Sequence, residues 1–180
     1  DGSGYKWIRI GDAGAGLLLF DEGDMDDDTD DRCQFFSSAN SNLQTNDVTS
    51  LAVDLDGDVW VGTTAGIVIF ECGGNAFDDE CNGSRRIVVG EDGNPAYLFE
   101  TERIEAIEVD GANRKWVGTS TGVYLLSDNG EDELLYFNED NSPLLSNEIV
   151  DIAFNESNGE VFFGTLKGII SYKGTATEPV

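Results

Sequence analysis

The chain has no histidine among its 180 residues. That removes the usual proton shuttle near neutral pH and the commonest metal ligand, so Ser/His/Asp and Cys/His catalysis and His-based zinc sites are excluded within it. Positive charge is nearly as scarce. Ten Lys and Arg stand against 36 Asp and Glu, a net charge of -26, which repels phosphate backbones and anionic lipid surfaces within a Debye length. Nucleic acid is therefore a poor partner. No apolar run approaches the ~20 residues a spanning helix needs, so no membrane span is expected. There is no signal sequence, and the chain opens on Asp1; it is expected to be a segment of a longer protein. Proline is limited to 3 residues, while glycine reaches 22 and apolar residues 39%, the balance of a folded, turn-rich domain.

Cysteine is rare too, at 3 residues. Cys72 and Cys81 bracket the polar, glycine-bearing segment Glu71-Cys-Gly-Gly-Asn-Ala-Phe-Asp-Asp-Glu-Cys81. Apolar stretches on either side would bring its ends together as a hairpin does, which favours a structural disulfide over two free thiols. Cys33 is left over, either buried or paired beyond this segment.

What is abundant is repetition. Trp60-Val-Gly-Thr-Thr-Ala-Gly-Ile67 returns as Trp116-Val-Gly-Thr-Ser-Thr-Gly-Val123 and as Phe162-Phe-Gly-Thr-Leu-Lys-Gly-Ile169. A looser copy, Trp7-Ile-Arg-Ile-Gly-Asp-Ala-Gly-Ala-Gly-Leu17, opens the chain. Upstream, Val48-Thr-Ser-Leu-Ala-Val53, Ile104-Glu-Ala-Ile-Glu-Val109 and Ile149-Val-Asp-Ile-Ala-Phe154 share one apolar pattern, and Asn40 to Val48 matches Asn141 to Ile149. The repeats are placed at approximately 1–38, 46–90, 102–138 and 147–174, all within one domain of residues 1–180. Such a period suits a solenoid or propeller unit.

Between the two conserved stretches lies Asp54-Leu-Asp-Gly-Asp58, whose alternating aspartates resemble the start of a calcium loop. Its counterparts are Asp110-Gly-Ala-Asn-Arg-Lys115 and Asn155-Glu-Ser-Asn-Gly-Glu160. Arg114 and Lys115 stand where oxygen ligands are needed, and no late bidentate acid is supplied. The shared Asp, Asn and Gly are hairpin-turn residues. A turn is expected, with a bound cation as the alternative.

Each unit then reads as an apolar strand up to Asp54, a return strand Val59–Thr63, a turn through Gly66, a third strand Ile67–Phe70, and a fourth strand at Arg86–Val89 or, in the next unit, Glu133–Phe137. Four-stranded antiparallel meanders cannot cover their own faces, whereas stacking around an axis does so. The expected fold is all-β, a β-propeller segment of about three blades plus part of another, an incomplete ring with open edges. Trp7, Trp60, Trp116 and Phe162 are expected to pack between blades beside Gly62, Gly118 and Gly164, which let backbone or a neighbouring blade come close. Stacking on a ligand is the sharper alternative for the tryptophans. Gly66, Gly122 and Gly168 sit where a tight turn wants positive φ.

Asp21-Glu-Gly-Asp-Met-Asp-Asp-Asp-Thr-Asp-Asp31 falls in an inter-strand loop. Thr29 stands where a calcium loop wants glycine, so a solvated loop is favoured; a weak calcium site at Asp24 to Asp31 is the alternative, and no other cofactor is expected.

With these motifs in hand, Trp-Val-Gly-Thr-x-x-Gly preceded by an Asp/Gly turn resembles the two-component-regulator propeller repeat of Bacteroidetes-type bacteria. Residues 104 to 177 are more specifically similar to the end of the second propeller in PorZ-type proteins of the type IX secretion system, through Val109-Asp-Gly-Ala-Asn-Arg-Lys-Trp-Val-Gly-Thr119, Tyr136 to Asn147 and Gly159 to Thr177. Lys6-Trp-Ile-Arg-Ile-Gly11 is similar to that group as well. The resemblance implies a non-catalytic scaffold at the outer-membrane surface. Its implied partners are the sortase-like component of the attachment complex and anionic lipopolysaccharide or another glycan. Phe162 in place of tryptophan departs from the pattern harmlessly; the missing earlier blades and following β-sandwich put the partner surface in doubt. The alternative role is a periplasmic oligosaccharide-sensing propeller of a hybrid two-component regulator. An enzyme would need convergent carboxylates, which no motif singles out.

Overall fold

The computed structural model describes residues 2–11, 15–89, 93–174 and 176. Residues 12–14 of the first copy's long glycine loop, Gly90 at the end of the second repeat, and Thr175 and Thr177 of the terminal run lie outside them.

Among the described residues, fifteen strands account for the regular structure, with one short 3-10 turn at Gly73–Asn75. The first sheet is β1 (Lys6–Arg9), β2 (Leu17–Asp21) and β3 (Arg32–Phe36) in that order. The second is β4 (Val48–Val53), β5 (Val59–Thr63) and β6 (Gly66–Phe70). A hairpin follows, β7 (Ile87–Val89) with β8 (Pro95–Tyr97). The third sheet is a four-strand meander of β9 (Ile104–Val109), β10 (Lys115–Thr119), β11 (Val123–Leu126) and β12 (Glu133–Phe137). The fourth is β13 (Ile149–Asn155), β14 (Glu160–Thr165) and β15 (Gly168–Lys173). All pairings are antiparallel.

One expectation is corrected. Arg86–Val89 does not form the fourth strand of the second sheet. Ser84 exchanges both backbone hydrogen bonds with Ile69, each 2.8 Å, as an isolated bridge. The chain then turns away, held by Arg86 to Glu71 at 2.8 Å, and β7 pairs with β8 instead. A β-rich run needs a partner edge, and here the nearer edge was its own hairpin.

The motif residues act through their hydrogen bonds. Thr63, Thr119 and Thr165 each donate from Oγ1 to the carbonyl of Gly66, Gly122 or Gly168 (2.9, 3.2 and 2.8 Å) and accept from the amide two residues on. This locks the tight turn, whose glycines have φ of +94°, +147° and +138°. Asn40 and Asn141 play matching parts before β4 and β13: each accepts from Ser37 or Asn138 and donates to Phe35 or Tyr136.

Strands β4, β9 and β13 lie side by side as the inner edge of successive sheets, and the core sits between the sheets. Alternation on β5 sends Val59 and Val61 toward the first sheet, where they meet Leu17, Leu19 and Phe36. Trp60 points the other way, into Ile104, Ile107 and Val117 of the third sheet. Trp116 is likewise turned onto Ile149, Ile152 and Phe163 of the fourth. Both indoles are buried. Trp7, half-buried, stacks on Phe36 with centroids 5.3 Å apart. Phe162 lies on the outer side of β14, half-buried, opposite Ser171.

Between β6 and Ser84 the Cys72 and Cys81 sulfurs are bonded, with Cα atoms 5.5 Å apart. The loop they close drops Ala76 onto the first core cluster, and Phe77 packs edge-on against Tyr5 at 5.2 Å. Cys33 is an exposed free thiol.

Candidate functional site

The turn that joins inner to second strand is organised by its first residue. Asp54 Oδ1 accepts from the amides of Asp56 and Asp58 at 3.1 and 2.9 Å, and Oδ2 accepts from the Trp60 indole at 2.9 Å. Asp110 does the same for Ala112, Arg114 and, at 3.3 Å, the Trp116 indole. In the last copy Asn155 caps the turn through Ser157, and Phe162 has no N–H to satisfy. The carboxylate thus accompanies the indole. Positive φ falls at Gly57, Asn113 and Gly159, +88°, +61° and +72°, so the aspartates are turn residues with their oxygens already occupied.

Two cations complete these turns, by different routes. Arg114 pairs with Asp110 in its own turn at 2.7 Å. Lys115, fully buried, reaches across to Asp54 of the preceding sheet at 2.9 Å, donates to the carbonyls of Asn113 and Asp128 at 2.8 and 2.5 Å, and lies over the Trp60 ring. Burial pushes the Asp54 carboxyl up, but its bonds from Lys115 and Trp60 outweigh that and hold it below the ordinary range. The turns are further latched: Leu55 N donates to Asn113 Oδ1 at 2.9 Å and Asn113 Nδ2 to Asp56 at 2.8 Å.

Beside these turns, where the inner strands converge, a cavity of about 250 Å³ opens, lined by Leu51, Val53, Leu55, Glu108, Phe154 and Glu156 among others. Glu108 is out of pattern here. It stands opposite Trp116 across the β9–β10 ladder, whereas the same register position holds Ala52 opposite Trp60 and Ala153 opposite Phe162. Loss of solvent, opposed by the Phe154 amide and reinforced by Asp151 and Glu156, raises its pKa from 4.5 to about 7. A carboxyl titrating near neutrality in a cavity is a functional-site signature. Sequence reasoning treated this strand as an apolar pattern and missed the glutamate; the signal was the aligned triplet Ala52, Glu108, Ala153.

The sign of its effect on stability follows from proton linkage. The folded pKa lies above the unfolded one, so Glu108 favours folding below about pH 4.5 and that contribution is lost as pH rises through about 7. Between pH 5.5 and 8 the melting temperature should therefore fall further for the native chain than for Glu108→Gln, as followed by circular dichroism. Parallel curves would show that the carboxyl is not buried as described.

In the acidic loop after β2, three carboxylates accept from the loop's own groups. Asp24 Oδ1 accepts from the Asp26 amide at 3.1 Å, Asp30 Oδ2 from the Asp24 amide at 3.0 Å, and Asp27 Oδ1 from Thr29. Among the described residues no group of three or more His, Cys, Asp or Glu side chains converges as a metal site would. None of their helices is long and apolar enough to cross a membrane.

Antiparallel sheets fanned from a shared inner edge, the second and third each turning a tryptophan and a glycine toward the next, define an open segment of a β-propeller. No family model and no curated protein matches the sequence. Among solved structures, the chain is similar to PorZ of Porphyromonas gingivalis, an essential bacterial surface component of the type IX secretion system. That match has 30% identity and a TM-score of 0.84, and it covers 97% of this chain and 25% of PorZ. It is also similar to the extracellular domains of two hybrid two-component systems of B. thetaiotaomicron. Those matches have 24% and 17% identity and TM-scores of 0.68; each covers 96% of this chain, with 20% and 23% of theirs. The resemblance read from the repeat motifs is thus met by the same two groups, and the likeness to the regulator domains shows the fold. The chain spans about a quarter of the length of the PorZ structure.

Proposed function

We propose that this chain is part of a non-catalytic cell-surface propeller that serves as a scaffold in the attachment complex of a type IX secretion system. The observation that carries this is the PorZ match, which runs through nearly the whole segment at higher identity and closer superposition than the regulator domains reach. Residues 1–180 form part of one propeller domain in this reading. Rigid sheets hold variable loops, the disulfide-closed Cys72–Cys81 segment and the Gly23–Arg32 loop, for contact with the sortase-like component. With a net charge of -26, this segment would hold anionic lipopolysaccharide only through divalent cations or leave it to another part of the protein.

Deleting the gene in its own host tests the proposal. The expected result is type IX cargo that fails to be processed and anchored at the surface, together with crosslinking of the native protein to the sortase-like component. Intact cargo anchoring, with loss of a transcriptional response to an oligosaccharide, would instead mark a sensor domain.

A further inference from the structure

We propose that the cavity at the inner edge of the second, third and fourth sheets binds a primary ammonium group carried on a small aliphatic or hydroxylated body, with Glu108 as the acceptor. The inference stands apart from the secretion role and survives its failure. Three observations converge. First, the repeat wants alanine at this register position, as Ala52 and Ala153 show, so the glutamate is not there to pack. Second, Glu108 is half-buried, and the Phe154 amide donates to it. The nearby cations are engaged elsewhere: Arg114 with Asp110, Lys115 with Asp54, Arg103 with Glu105. The charged groups bearing on it from β13 and the turn beyond are Asp151 and Glu156, both acidic; β4 contributes Leu51, Ala52 and Val53, and Asp110 at the end of β9 is occupied by Arg114 and Trp116. Third, Leu51, Val53, Leu55 and Phe154 stand beside the carboxyls in a mainly polar cavity of about 250 Å³, room for several times the ~30 Å³ of one water.

An ammonium is the head group that fits. It supplies the missing positive charge through a charge-assisted hydrogen bond, while Leu51, Val53, Leu55 and Phe154 offer apolar contact to the stem of the ligand. An anion is repelled by three carboxyls. A hard divalent cation wants six or more oxygens, which do not converge here.

Titration calorimetry of the whole chain at low salt and pH 7 provides the test, with Nα-acetyl-lysine methylamide and glucosamine as two sources of the same head group. Both should bind, the tighter one showing whether the natural source is peptide or amino sugar. N-acetylglucosamine, which lacks the charge, should bind at least tenfold more weakly. Because alanine already stands at the equivalent positions, Glu108→Ala should keep its fold by circular dichroism and lose at least tenfold in affinity. For the lysine probe, whose amine stays protonated, affinity should rise roughly tenfold from pH 6 to 8 as the carboxyl ionises. The proposal is overturned by absence of binding for both ammonium probes, by equal binding of N-acetylglucosamine, by undiminished binding to Glu108→Ala, or by calcium chloride alone titrating the site.

Discussion

Lys115→Met is expected to lower the unfolding free energy by about 3–5 kcal/mol, the cost of breaking a buried ion pair from one side. The side chains of Lys115 and Asp54 are 0% and 3% exposed. Methionine keeps the length of the stem, so the loss is not one of packing. What is left behind is a carboxylate sealed between two sheets with N–H donors from Asp56, Asp58 and Trp60 and no counter-charge. Adding Asp54→Asn to Lys115→Met should recover part of the loss, since the pair is then neutral and the turn keeps an acceptor; a cycle of the four proteins in urea measures the coupling. The acid limb supplies a second readout. Asp54 has its folded pKa held below the ordinary value of 3.8, so its contribution is present above about pH 4 and lost as pH falls through the lower folded value. Lys115→Met should flatten that acid limb. A loss below about 1 kcal/mol, as exposed pairs give, would mean that the pair is solvated.

The second large effect concerns glycine. Gly118→Ala should cost about 1–3 kcal/mol through overpacking, because its Cβ would come 2.5 Å from Ile149 Cγ2 and 3.0 Å from Ile149 Cβ on the inner strand of the next sheet. Gly62→Ala should also be costly, meeting Ser50 Oγ of its own sheet and, at 2.7 Å, Ile104 Cγ2 of the next. Gly164 is the control. Its Cβ would find the Asp151 carbonyl at 3.4 Å, an ordinary contact, so Gly164→Ala should be neutral or slightly stabilising in this chain. Combining Gly118→Ala with Ile149→Ala should cost less than the two changes added, since the methyl then fills the space the isoleucine leaves. Equal penalties at Gly118 and Gly164 would assign the glycines a local backbone role and remove the close approach of sheets as their reason.

Much of this architecture was readable in advance because the units repeat. Trp60, Trp116 and Phe162 recur with a glycine two residues on, and a position that faces a neighbouring sheet, as those of Trp60 and Trp116 do, leaves such a mark. The turn aspartates were legible for the same reason, once Asp110 and Asn155 stood beside Asp54. Partner choice was not. Ile87-Val-Val89 has strand-forming residues whichever edge it meets, and nothing local says that Ser84 will occupy the rim of β6 first. Nor was the fate of Lys115 readable: in the sequence it is one cation beside another, and only packing of the third sheet on the second sends it inward while Arg114 stays in its own turn. Glu108 sits between these cases, visible as an exception to a pattern and invisible to anyone reading one copy.

The two routes by which the turn carboxylates find their cations leave the seams unequal. Between the second and third sheets a charged tether crosses from Lys115 to Asp54, and the turns are clasped through Asn113. From the third to the fourth, Asp110 spends its charge inside its own turn. Of these two seams, among the described residues only the first carries a charged tether across it, so the β13–β15 leaf is expected to part from the third sheet more readily than the second sheet does.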